Sequence, residues 1–91
     1  MNERPIRKIY YTSKFKKALA EMPHFVQQAF LKREGLFLHN AFHPSLDTHK
    51  LHGKYKEFWA FTVIGQYRVM FGFLAADKVA FINIGTHTIY R

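Results

Sequence analysis

Residues 56–84 read KEFWAFTVIGQYRVMFGFLAADKVAFINI, and the fold turns on how this run is divided. β-Branched and aromatic residues dominate it, and two short breaks interrupt it, Gly65-Gln66 and Ala75 to Asp77. Such runs make antiparallel strands, because a pleated surface accommodates branched and aromatic side chains and a Gly-first two-residue loop matches the strand twist. The reading is a meander of three strands, Lys56 to Ile64, Tyr67 to Leu74 and Lys78 to Ile84. A two-residue turn at 65–66 pairs Val63 with Arg68, Phe61 with Met70 and Trp59 with Gly72, and puts those six on one face. The other face then carries Phe58, Ala60, Thr62, Ile64, Tyr67, Val69, Phe71 and Phe73, apolar enough to receive helices. The first face combines an Arg, a Trp, a flexible Met and a Gly opposite the indole, which suits a ligand surface. It suits equally a Trp59 folded over the sheet edge and an Arg68 that snorkels.

Upstream, RKIYYT at Arg7 to Thr12 reads as one further strand. Ser13 follows as a helix cap, and Phe15, Ala18, Leu19 and Met22 recur at helical spacing while Lys14, Lys16, Lys17 and Glu21 take the other side. Pro23 fits the first turn of a second helix, whose apolar stripe is Val26, Ala29, Phe30 and Phe37, with Gly35 ending or weakening it. Asn40 to Thr48, with His43-Pro44-Ser45, reads as a loop, since Pro44 biases its predecessor away from helix. The order is strand, two helices, three strands: an α+β fold with a mainly antiparallel sheet.

At 91 residues the chain holds one domain and excludes two-domain enzymes. Hydrophobic residues at 48%, with ten Phe, exclude a disordered chain. Fourteen Lys and Arg against six Asp and Glu give a net charge of +8, which points to nucleic acid, an acidic protein or anionic lipid as partner. With no Cys there is neither a disulfide framework nor a thiolate metal site. No apolar run is long enough to span a bilayer and MNERPIRKIYY lacks the apolar core of a secretion signal, so a cytoplasmic protein without membrane contact is expected.

Six histidines is a high number, and His39, His43, His49 and His52 crowd the approach to the meander while His87 follows it. His49 and His52 lie three apart, but the only nearby carboxylate is Asp47, and Lys50 and Lys54 repel a cation, so no metal is expected. RNA phosphodiester chemistry uses these residue types better. It needs a base for the 2′-OH, cationic donors for the phosphorus centre and an acid for the departing 5′ oxygen. Imidazole titrates in the right range and guanidinium is a planar fork of donors. The candidates are His49, His52, Arg68, His87 and Tyr90 for chemistry and Lys50, Lys54 and Trp59 for RNA binding, with Trp59 and Tyr90 able to stack on splayed bases. The reading sets the start of the first meander strand and the end of the third at one end of the sheet, so that His52 and His87 share a groove. A charged flank guarding a sheet edge, and a frayed C-terminus, account for the lysines and Tyr90 otherwise.

Three segments, LDTHKLHGKYKEFWAF, QYRVMFGF and INIGTHTIYR, resemble the RelE/ParE superfamily of bacterial toxins from type II toxin–antitoxin pairs, in particular its RelE/StbE and YafQ-like plasmid-stabilisation branch. The resemblance spans most of the chain. Its specific parts are His49, Lys50, Leu51, His52 and Gly53; Tyr67-Arg68 within a strand; and Gly85-Thr86-His87 followed by Tyr90. It implies a β-α-α-β-β-β, microbial-ribonuclease-like fold and a ribosome-dependent mRNA endonuclease that cuts by 2′-OH attack without metal or other cofactor. The family's strand Arg falls on Arg68, its basic or His residues before the meander on His49, Lys50, His52 and Lys54, and its terminal His and aromatic on His87 and Tyr90. An acidic helper near the strand turn in some relatives has no clear counterpart, and Asn83 stands where a base would end the third strand. The resemblance also implies an acidic antitoxin as partner, alongside mRNA and the ribosome. Two alternatives stay open: a ParE-type gyrase inhibitor, against which Arg68 and His87 argue, and a nucleic-acid-binding relic without catalysis.

Overall fold

The computed structural model describes residues 3–90. Strand β1 (Lys8–Tyr11) leads into helix α1 (Ser13–Ala20) and then helix α2 (His24–His39). A 3-10 turn at Pro44–Leu46 precedes a two-residue strand, β2 (His49–Lys50), and a second such turn, Gly53–Tyr55. The meander is β3 (Trp59–Ile64), β4 (Tyr67–Ala75) and β5 (Lys78–Gly85), closed by a 3-10 turn at His87–Tyr90. The sheet order is β1-β5-β4-β3-β2, with β1 parallel to β5 and the other pairs antiparallel. Two helices on a five-stranded mixed sheet make the expected α+β fold.

Local chemistry sets the helix ends. Thr12, one residue before the expected cap, accepts the Phe15 N–H at 3.0 Å, while its own hydroxyl reaches back to the Phe81 carbonyl of β5. Pro23 precedes α2 and directs the chain into it, and the helix continues through Gly35 to His39. Strand β2 was not expected. A two-residue edge bridge carries no periodic signal, and its partner β3 supplies it.

The expected β3–β4 register is corrected by one bulge. Ile64 opposes Tyr67 across the turn, and Gly65 takes φ 54° there, as a Gly-first loop requires. Beyond Val63 the register slips by one, so that Thr62 opposes Arg68, Phe61 opposes Val69 and Trp59 opposes Phe71. Because side chains alternate, one inserted residue sends Trp59, Phe61 and Val63 to the helix face and leaves Ala60, Thr62, Arg68 and Met70 on the other. The bulge has a partner in the helix layer. Arg33 of α2 donates from Nε to the Val63 carbonyl at 3.1 Å and from Nη1 to the Ser45 carbonyl at 3.2 Å.

The main core lies between the sheet and the helices. Phe15, Phe30, Phe37, Phe61, Phe71 and Phe81 are all buried in it, with Val26, Leu46, Val63, Val69 and Ile84 filling between. Phe37 sits at its centre, stacked on Phe61 and edge-on to Phe71 and Phe81, with centroids 4.9 to 5.3 Å away. Such offset and edge-on pairs are the favourable aromatic geometries.

Candidate functional site

The face away from the helices has a smaller cover. Leu51, Ala60, Met70 and Ile89 are buried there, and Tyr55, Phe58, Ile82 and Tyr90 pack around them half-buried. Two segments supply the cover: the stretch following β2, and the terminal 3-10 turn folded back over the sheet. Gly85 permits that return. A Cβ at this position would stand 2.7 Å from the Ile89 Cγ2, so only glycine lets the turn lie this close. The Ile89 N–H donates to the Thr86 carbonyl at 3.0 Å and closes the turn.

Arg68 lies in the β-row Thr62–Arg68–Gly85, beside that glycine. With Gln66, His87 and Tyr90 it lines a shallow cleft of about 360 Å³. Leu51, His52, Lys54, Tyr55 and the other side of Tyr90 line a neighbouring cleft of the same size. Tyr90 is thus the wall between them. Among the described residues no carboxylate lines either cleft, whereas two imidazoles, a guanidinium and an ammonium do. Among the described residues one ion pair forms, Arg7 with Asp77, and it lies elsewhere.

The Tyr90 hydroxyl is buried without a hydrogen-bond partner among the described residues. Burial pushes the phenol above its ordinary pKa, and the Arg68 guanidinium opposes that rise in part. The phenol is therefore protonated at neutral pH and has a hydrogen to donate. A desolvated hydroxyl lacking a partner is costly to fold around, which suits an atom that finds its acceptor on a ligand.

The expected approach of His52 to His87 has a different cause from the one read in the sequence. Strands β3 and β5 both run antiparallel to β4, so the start of β3 and the end of β5 lie at opposite ends of the sheet. The two histidines line adjacent clefts because the His87–Tyr90 turn folds back and brings Tyr90 against the Gly53–Tyr55 turn, with the two tyrosine rings 6.4 Å apart.

The remaining candidates separate. His49 opposes Ala60 at the sheet edge, on the helix-free face, and its Nδ1 lies 2.9 Å from the Asp47 carbonyl oxygen; it lines neither cleft. Lys50 and Trp59 oppose each other and turn to the helix face, so Trp59 does not share a face with Arg68. Lys54 stays by its cleft, its Nζ 5.2 Å from the Tyr55 ring centroid. His43 serves the fold, its Nδ1 accepting the Ser45 N–H at 3.1 Å. Among the described residues no three His, Asp or Glu side chains gather as a metal site would need. Gln66, Tyr55 and Gly85 were not singled out from sequence as site residues. Gln66 was legible as the polar turn residue two before Arg68, whereas Tyr55 and Gly85 matter only through the terminal turn.

No protein-family model matches the sequence, and no curated protein does. Solved structures do. The RelBE2 toxin–antitoxin complex from Mycobacterium tuberculosis matches with a TM-score of 0.77 at 11% identity, over 94% of this chain and 98% of that one. The chain has the RelE-type toxin fold. The RelB–RelE complex from Methanococcus jannaschii matches with a TM-score of 0.68 at 22% identity, over 89% of this chain and 94% of its counterpart. YafQ from E. coli strain BL21(DE3) matches at 0.65 and 21% identity, over 92% and 97%. With identities this low, the RelE-type fold is what these likenesses establish.

Proposed function

We propose that this chain is the toxin of a type II toxin–antitoxin pair and that it cuts mRNA on the ribosome by attack of the 2′-OH on the adjacent phosphate. The observation that carries the reading is the gathering of Arg68, His87 and Tyr90 in one cleft, with His52 and Lys54 across the Tyr90 ring. In the reaction a base takes the 2′-OH proton, O2′ bonds to phosphorus, the P–O5′ bond breaks and an acid gives O5′ its proton. The products are a 2′,3′-cyclic phosphate and a 5′-OH end. Arg68 is the fork of donors for the non-bridging oxygens. His87 and His52, on either side of Tyr90, supply the imidazoles for base and acid, and the Tyr90 hydroxyl donates to the phosphate.

The RelE-type fold supports the reading, and so does the charge of +8 on a chain whose clefts hold no carboxylate among the described residues. The same charge calls for an acidic antitoxin in the cell, covering Arg68 and its neighbours. No described helix is long and apolar enough to cross a membrane.

The test is to map RNA 5′ ends after induced expression of the wild type, Arg68→Ala and His87→Ala. New ends at translated codons are expected from the wild type, with yields lower by about 100-fold in either variant. Growth arrest and cleavage undiminished in both variants would refute this site. Loss of gyrase supercoiling with mRNA intact would replace the reading with gyrase inhibition.

A further inference from the structure

The bulge at Val63 that removes Trp59 from the cleft face builds something on the opposite side. Trp59 of β3 packs edge-on against both Phe42 and Phe73, with ring centroids 5.3 and 5.9 Å away. Phe42 and Phe73 are themselves nearly parallel, 22° apart in plane. Two cations from distant parts of the chain converge on these rings. The exposed Lys50 places its Nζ 5.2 Å from the Trp59 centroid, and the Arg4 guanidinium lies 5.0 Å from that of Phe73 and 5.8 Å from that of Phe42. All three rings are half-buried, packed against the core and open in part to solvent. Among the described residues neither cation pairs with a carboxylate.

We infer that Trp59, Lys50 and Arg4, with Phe42 and Phe73, form a second binding site for single-stranded nucleic acid, on the sheet face opposite the cleft of Arg68 and His87. A cation over a ring face gains from the ring quadrupole yet keeps its charge, so it remains available to an anion. A nucleotide brings both complements at once, a phosphate for the cations and an unstacked base for the solvent-open parts of the aromatic rings. A duplex has no free base face to offer. An acidic polypeptide would satisfy the cations and leave the indole without a stacking partner. Strand β2 sets the direction of approach: His49 opposes Ala60 on the helix-free face while Lys50 opposes Trp59 on the helix face, so a strand crossing this sheet edge meets both sides. Binding here does not depend on whether the chain cuts RNA.

Trp59 is the chain's only tryptophan, so its emission reports on this patch directly. The probe is an oligo(dT) of about 12 nucleotides, within single-strand site sizes and without the 2′-OH that cleavage needs. Titrated into the full chain, it should quench Trp59 emission saturably. Lys50→Ala should weaken the titration by ~3- to 10-fold, Lys50→Arg should restore it, and the salt slope of Lys50→Ala should fall by about 0.7 for the lost phosphate contact. Trp59→Leu, followed by anisotropy of a labelled oligo, should lose ~10-fold, with Trp59→Phe retaining most of the affinity and serving as the well-packed control. Binding seen by anisotropy with Trp59 emission unchanged would overturn the inference, as would Lys50→Ala matching the wild type in affinity and salt slope. Equal quenching by poly-glutamate would also overturn it, making the patch a site for acidic protein.

Discussion

The two faces of the sheet are built on different principles. Against the helices lie six buried phenylalanines with aliphatic side chains between them, and Phe37 touches three of the other five rings. Away from the helices the buried cluster has four hydrophobic residues, two of which, Leu51 and Ile89, come from the covering segments themselves. Burial of apolar area scales with stability, so the first face holds the molecule together. The second is thin enough to leave Arg68, His52 and His87 at its surface and a buried hydroxyl without a partner among the described residues. Rigid packing on one side is what lets the other side carry polar groups that contribute little to folding.

Substitutions that separate the faces should grade accordingly. Phe37→Ala should have the largest effect, costing about 3–5 kcal/mol through lost burial and the cavity left. Measured by denaturant unfolding, that is much of the ~5–15 kcal/mol a small domain possesses; a loss under about 1 kcal/mol would mean the helix face is not the stabilising one. Gly85→Ala comes next. Its methyl meets the Ile89 Cγ2 at 2.7 Å, so the terminal turn must shift, at a cost of ~1–3 kcal/mol, and cleavage should fall with it because His87 and Tyr90 ride on that turn. Unchanged thermal midpoint and cleavage would show that the turn is not held by this contact.

Arg33→Ala removes the donor to the Val63 carbonyl and should cost about 1–2 kcal/mol. Amide exchange should quicken at the 61–64 end of β3, where the bulge loses its support; protection as in the wild type would place the cause of the bulge elsewhere. Tyr90→Phe should have the smallest and opposite effect on folding. Removing a buried hydroxyl that lacks a partner among the described residues should raise stability by up to ~1 kcal/mol while lowering cleavage. The pH profile carries the sign: burial keeps the phenol protonated, so no loss of activity traceable to Tyr90 is expected as pH rises to its ordinary value near 10. A variant that is more stable and fully active would show that the hydroxyl has no ligand role.

Much of the fold was legible because its signals are local. The helical spacing of Phe15, Leu19, Val26, Ala29 and Phe30, the proline before α2 and the Gly65-Gln66 turn each act within a few residues. The register of β3 was not, since WAFTVI is apolar almost throughout and simple alternation gives no face. A signal was present in size: Trp59, Phe61 and Val63 outweigh Ala60 and Thr62, and the larger set faces the core. The candidate site was legible in part. Arg68, His87, His52, Lys54 and Tyr90 line the two clefts, whereas Lys50 and Trp59 lie on the opposite side and His49 at the edge.

By itself the sequence determined the order of elements, the excess of positive charge and the supply of imidazole and guanidinium groups, because these follow from composition and short-range spacing. Tertiary structure decided which of those groups meet. Arg33 reaches from a helix to the Val63 carbonyl, at the bulge beyond which the side chains of β3 change face. Gly85 lets the end of the chain return over the sheet and carry Tyr90 between His52 and His87. Both are contacts between residues or segments whose closeness depends on packing, and no periodicity along the chain encodes them.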